Sequence, residues 1–279
     1  MPAESGVPLS RYSIRELARV VVERGIVGSI SGATIWRWLD REAIRPWYHR
    51  SWIFPRDPEF AVKAGRVLDL YHGVWCGAPL GDSDYVISAD EKTSIQARLR
   101  THASEPPQAG QPMRVEHEYD RAGALVYLAA WDVQRARLFG RCEPKSGLVP
   151  FGRLVTDVMS QEPYASAERV FWIVDNGSSH RGKAAVQRLA KCWPNLILVH
   201  LPIHASWLNQ IEIYFSILER KVLRPNAFNS LTALEDSILA FQDRYQQTAK
   251  PFDWKYTRQD LARLLAKLAL PNAPLVRCA

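Results

Sequence analysis

Apolar residues recur along this chain with two periods, and the switches between them predict where helices give way to strands. Ser13-Ile14-Arg15-Glu16 has the reciprocal pattern of a capped helix start, and Ile14, Leu17, Val20 and Val21 follow at helical spacing as far as Gly25. A first helix is therefore expected over about 14–24. Ser31 predicts the start of a second, through Thr34, Ile35, Trp36, Arg37, Trp38 and Leu39, with Ile35 and Leu39 facing inward. Two short helices joined this way have the pattern of a helix-turn-helix. Its second helix would aim Thr34, Arg37 and Arg41 at base edges or phosphates, although any pair of small packed helices shares the pattern.

Farther on, Asp57-Pro58 opens a helix carrying Phe60, Val62, Val67, Leu68 and Leu70. Tyr85-Val86-Ile87 reads as a short buried strand ending at Ala89-Asp90, and Arg98 to Met113 as a loop rich in Pro, Gln and Gly. Ala124–Trp131 and Leu138–Cys142 predict a hairpin, and Phe151, Leu154, Val155, Val158 and Met159 an amphipathic helix. Val170–Val174 is a continuous apolar run, suited to a strand covered on both faces, that stops at Asp175-Asn176-Gly177. A helix over Lys183–Lys191, a strand over Leu196–Val199 and a helix capped by Ser206 and running through Ile211, Glu212, Phe215, Leu218 and Val222 follow. Leu231–Tyr245 and Gln259–Leu268 predict two more helices. Strands alternating with helices after a hairpin imply an α/β fold, a mixed sheet with helices on its faces.

Composition narrows the function classes. The chain has 279 residues, 47% of them apolar, enough for one large core and a small second unit. Lys and Arg number 36 against 29 Asp and Glu, a formal net charge of +7, which favours a polyanionic partner. Cys76, Cys142, Cys192 and Cys278 are scattered without metal-ligand spacing and are expected to be reduced, mostly buried thiols. No export leader and no membrane-length apolar run are present, so a cytoplasmic protein with no membrane partner is expected. Between Arg41 and Pro58, basic and aromatic residues interleave with prolines, Arg45 and Arg50 among them. The segment fits a linker lying on a phosphate backbone or, equally, a strap packed on its own domain.

The candidate chemistry sits in three carboxylates. Two strands are expected to end in aspartates, Asp90 and Asp175, at the carboxyl edge of the sheet where ligands usually bind. Glu212, near the start of the helix after the next strand, would return to that edge. Taken singly, each has a plain structural role: a turn aspartate, a helix-start charge, a strand end paired with Lys92. Together they would repel one another without a cation, and all-oxygen ligands suit Mg²⁺ or Mn²⁺. Two such ions about 3.5–4 Å apart can activate a water or 3′-hydroxyl and stabilise the leaving oxygen in a phosphoryl displacement.

Four blocks carry a family resemblance: Ser88-Ala-Asp90-Glu-Lys-Thr-Ser-Ile-Gln-Ala97, His117-Glu-Tyr119, Val174-Asp175-Asn-Gly-Ser-Ser-His180 and His204-Ala-Ser-Trp-Leu-Asn-Gln-Ile-Glu212-Ile-Tyr-Phe-Ser216. Over almost its whole length the chain resembles the bacterial insertion-sequence 630 family of transposases, relatives of the mariner elements. The resemblance implies a ribonuclease-H-like fold, a D-D-E triad at Asp90, Asp175 and Glu212 and two Mg²⁺ ions, with Mn²⁺ as a substitute. It implies binding of terminal inverted repeats in double-stranded DNA, cleavage at element ends, strand transfer into a target such as TA, and a homodimer on DNA. Members of the family commonly carry another helical DNA-binding unit ahead of the region where this chain begins, so either a truncated DNA-binding region or a late start of the product is expected, which bears on end recognition more than on the triad.

The expected division is a helix-turn-helix unit over 1–45, a basic linker and connecting helix over 46–80, the catalytic domain over 81–250 and a helical tail over 251–279. Lys92 and His180 are candidates for contact with the scissile phosphate or for orienting a metal ligand, or equally a surface charge and a helix-start residue. His204 and Asn209 are candidates for DNA contact or for supporting the metal ligands, with Trp207 as scaffold of the helix start. The alternatives are a nuclease of the same fold without strand transfer and a catalytically idle DNA-binding descendant of a transposase.

Overall fold

The computed structural model describes residues 6, 8–42, 55–177 and 183–269, and the chain forms two compact units, 1–54 and 55–279. In the first, α1 (Ile14–Glu23) begins with the expected capping box. Glu16 N donates to Ser13 Oγ at 3.3 Å and Ser13 N to Glu16 Oε2 at 2.7 Å. Gly25, at φ +67°, reverses the chain, and Ser31 Oγ caps α2 (Gly32–Arg41) by accepting from Thr34 N at 3.1 Å. Ile35 is buried, while Trp36 and Trp38 are exposed; Leu17, Val21, Ile35 and Leu39 line an apolar hollow of about 180 Å³ between the helices.

The second unit opens with α3 (Phe60–Tyr71) and a two-residue ribbon, β1 (Val74–Trp75) with β2 (Ala78–Pro79). The main sheet follows: β3 (Asp84–Arg100), β4 (Tyr119–Asp132), β5 (Leu138–Glu143), then α4 (Leu148–Met159), β6 (Arg169–Val174), α5 (Lys183–Cys192) and β7 (Leu196–His200). Its order is β5-β4-β3-β6-β7, antiparallel among the first three strands and parallel from β3 to β7. A 3₁₀ turn (Ser206–Leu208), α6 (Ile211–Lys221), α7 (Leu231–Gln246) and α8 (Arg258–Ala269) complete it. This is the mixed sheet with helices on both faces that the alternating pattern implies.

Each face has its own core. Phe171, Ile173 and Tyr127 pack with α3, α6, α7 and Leu261 of α8, whereas Ile87, Ala89 and Trp172 pack with Phe151, Leu154 and Val158 of α4. A strand covered on both sides has no polar alternation, which is why β6 reads as an unbroken apolar run.

Three expectations need correcting. β3 does not stop at Asp90 but continues to Arg100, paired with the first half of β4. Its pattern breaks because two bulges interrupt the ladder, the first where Thr93 and Ser94 together oppose one residue of β4. Val86, an even-numbered residue, faces the α6 core, but beyond the bulge that face belongs to Ile95 and Ala97. An inserted residue exchanges the faces, so period-two reading fails across it. Ser206 opens the 3₁₀ turn instead of capping α6, whose N-cap is Gln210. Among the described thiols, Cys76 and Cys192 are exposed and Cys142 is partly buried, because the first two sit on the β1–β2 turn and at the last residue of α5, while Cys278 lies outside the described residues. Among the described residues no helix is long and apolar enough to cross a membrane.

Close packing beneath the sheet yields a stability prediction. A Cβ added to Gly140 of β5 would fall well inside contact distance of the Tyr127 hydroxyl, which donates to Gln242 Oε1 at 2.8 Å. Tyr127 is buried, so neither ring nor strand can yield. Gly140→Ala is expected to destabilise the second unit by about 2–4 kcal/mol. Urea unfolding checks it, and a loss under about 0.5 kcal/mol would show that the site relaxes.

Candidate active site

Strand register directs the two aspartates to one edge. Asp84 of β3 lies opposite Arg169 of β6, and their side chains pair through Arg169 Nε and Asp84 Oδ1 at 2.8 Å, which holds the carboxyl below its usual range. The parallel pairing runs to Ser88 opposite Ile173. Continued by two residues, that register brings Asp90 of β3 and Asp175, the first residue past β6, toward the same carboxyl edge of the sheet. Asp175 Oδ1 accepts from Gly177 N at 2.8 Å, so the carboxylate also braces the turn that ends its strand.

Glu212 arrives from the other direction, in the first turn of α6. A buried polar knot fixes that helix start against β3. Ser88 Oγ donates to Asn209 Oδ1 and accepts from Ile211 N at 2.9 Å. Asn209 Nδ2 donates to Ala89 O at 3.0 Å and to Asp90 Oδ2 at 3.1 Å. The hydroxyl of Tyr71, on α3, donates to Leu208 O at 2.7 Å and accepts from Gln210 N at 3.3 Å. Ser88 and Asn209 are 0% and 1% exposed. Paired this fully, such groups set a geometry; unpaired, each would carry a desolvation penalty.

The three charges act on one another. Burial pushes the Asp90 carboxyl up to about 7; Glu91 N, donating to Asp90 Oδ1 at 2.8 Å, and Asn209 oppose the shift, while the Asp175 and Glu212 charges add to it. Burial also raises Glu212, with the nearby Lys92 charge opposing and Asp175 reinforcing. Among the described residues no three His, Cys, Asp or Glu side chains are gathered closely enough to hold a metal ion as they stand. Three carboxylates that repel without a counter-charge have the donor chemistry of a hard divalent cation site, and neutralisation by such an ion would reverse their shifts.

The other expected residues scatter. Lys92 leans on Glu219 of α6, at 3.0 Å, while its charge reaches Glu212. His204 is exposed at φ +61° in the turn after β7. Trp207 is 45% exposed and meets Tyr256 edge-on at 5.3 Å. Asn209 is enclosed against Asp90, an orienting position with no surface left to meet a duplex. In the first unit Arg37 and Arg41 are exposed, and the Thr34 hydroxyl is engaged by Ser31 Oγ at 2.9 Å and Arg37 Nη2 at 3.3 Å. Arg45, Arg50 and His180 lie outside the described residues. Sequence reading missed Ser88 and Tyr71, although a serine inside the apolar run from Tyr85 to Ala89 was a visible signal.

Comparison with known proteins bears on the whole region. A family model described as DDE superfamily endonuclease matches residues 85–235, a span that contains Asp90, Asp175 and Glu212. Among solved structures, the Mos1 mariner paired end complex with Mn is similar at 12% identity and a TM-score of 0.51, covering 96% of this chain and 74% of that one. A pre-cleavage Mos1 transpososome is similar at 16% identity and a TM-score of 0.52, covering 94% and 77%. No curated protein sequence matches the chain. At such identities the likeness shows the fold, a ribonuclease-H-like sheet flanked by helices.

Proposed function

The chain belongs to the DDE superfamily of endonucleases, and from that premise we propose that it is a DNA transposase of the insertion-sequence 630 type. The observation that carries the reading is the convergence of three mutually repelling carboxylates, from β3, the end of β6 and the start of α6, in a basic chain. On this reading Asp90, Asp175 and Glu212 hold two Mg²⁺ or Mn²⁺ ions, and the chain acts as a homodimer on DNA. When bound, the ions would activate the attacking oxygen and stabilise the leaving one.

The residues of the chain then have separate tasks. Asn209 keeps one oxygen of Asp90 turned toward α6 while Glu91 N holds the other. Ser88 and Tyr71 lock the start of α6, so Glu212 approaches along a fixed path. A water cuts the phosphodiester at an element end and leaves a 3′-hydroxyl, whose oxygen attacks a phosphorus of the target strand and displaces the target's 3′-oxygen, which departs as a hydroxyl. Positioning carries most of such catalysis. The exposed Arg37 and Arg41 of α2 support recognition of the terminal inverted repeats by the first unit.

The test is a labelled duplex carrying the element end, incubated with protein and Mg²⁺, Mn²⁺ or EDTA. Cutting in either metal, none in EDTA and none by Asp175→Ala is the expected result. A folded wild-type protein that binds the end but cuts in no metal would be an idle DNA-binding descendant. Cutting without joined products would make it a nuclease only.

A further inference from the structure

Past Asp90, β3 runs along a groove of about 580 Å³ whose other wall is the end of α6 and the turn into α7. Lys92, Arg98, Arg100 and Arg224 line it against a single acid, Glu219. Glu219 bridges Lys92 and Arg224, at 3.0 Å from each, which leaves the groove with a net positive charge. Arg100 is part of the wall: its guanidinium donates to the backbone carbonyls of Glu116, His117 and Asn226. Arg98 is different. Its guanidinium lies over the Tyr119 ring at 4.6 Å, and its buried Nε has no hydrogen-bond partner among the described residues.

The groove is built, not left over. Asn226 accepts from Arg98 N at 3.1 Å and donates to Gln96 O at 2.6 Å, and Phe228 N donates to Arg98 O at 3.0 Å, so the α6–α7 turn is laced to β3. On the floor Ser94 is held at φ +57° by the first bulge, with Thr93 and Ser94 exposed. Strained, bulged backbone beside a candidate site re-aims side chains that a regular strand would alternate. The strand from Lys92 to Arg100 is about 26 Å long at ordinary rise, which matches several nucleotides rather than one small anion.

We propose that this groove binds the sugar-phosphate backbone of the DNA strand leading to the carboxylates, with Arg98 and Arg224 as its phosphate contacts. The inference rests on the transposase reading and gives the path of the strand beside the catalytic centre. Guanidinium groups suit phosphate through paired N–H donors, and backbone contact of this kind is independent of base sequence.

The experiment measures anisotropy of a labelled duplex of mixed sequence with the full chain across a salt series, in EDTA. The double variant Arg98→Gln/Arg224→Gln is expected to bind about tenfold more weakly, with a log–log salt slope shallower by about two. The Lys/Lys double variant restores the slope. Arg224→Glu provides a second variant, since that side chain is 74% exposed and leaves the Arg98 stack untouched; it lowers the slope by about one. Wild-type affinity and slope in both Arg98→Gln/Arg224→Gln and Arg224→Glu would overturn the proposal, whether or not the wild type cuts DNA. A reduced slope in the variants of a protein that cuts DNA in neither Mg²⁺ nor Mn²⁺ would uphold the groove and overturn the transposase reading alone.

Discussion

Asp90→Asn is expected to abolish metal-dependent cutting, by a factor on the order of 10³ or more, while making the metal-free protein more stable above neutral pH. Both effects come from one carboxylate. Burial is the main reason its titration moves from 3.8 to about 7, and the neighbouring Asp175 and Glu212 charges add to it. Between those values the native state holds a proton that the unfolded chain has released, so stability falls as pH rises through this window. A tenfold change in proton affinity corresponds to about 1.4 kcal/mol, so ionised Asp90 works against the fold by up to a few kcal/mol. Asn removes that charge. The variant loses the 3.1 Å bond from Asn209, a loss of roughly 1 kcal/mol that only partly offsets the gain.

Thermal unfolding in EDTA is the measurement. At pH 8 the midpoint of Asp90→Asn should exceed that of the wild type by about 2–6 °C, and the difference should close near pH 4. A variant that cuts at the wild-type rate would remove Asp90 from the reaction. A midpoint at pH 8 equal to or below that of the wild type would mean that the site does not hold the charge under strain.

Asn209→Leu is the second large effect, and it acts through position. Leucine nearly fills the same space but breaks the contacts with Ser88, Ala89 and Asp90 together. Turnover should fall about 10- to 100-fold with little change in KM for DNA, and stability by about 2–3 kcal/mol. A purely structural role would produce the second loss without the first. Asn209→Asp separates the two further, because it replaces a donor beside Asp90 with a negative charge. It should shift the pH dependence of cutting to higher pH. Wild-type turnover and pH profile in both variants would reduce Asn209 to packing.

Local chemistry was legible from the chain alone. The Ser13 capping box, the Ser31 cap, the β4–β5 hairpin and the doubly covered β6 all form where the residue pattern predicts, because each depends on neighbours within a few positions or on a face buried throughout. Asp175 at a strand end and Glu212 in a first helical turn were legible for the same reason. Tertiary structure alone decided the rest. Whether β3 ends at Asp90 depends on a partner strand and on a bulge whose extra residue exchanges the faces, and no period within β3 records that. The approach of Asp90 and Asp175 to one edge depends on register between strands far apart in sequence. The knot of Ser88, Tyr71 and Asn209 joins three distant segments through single hydrogen bonds, which leave no periodic trace in the chain.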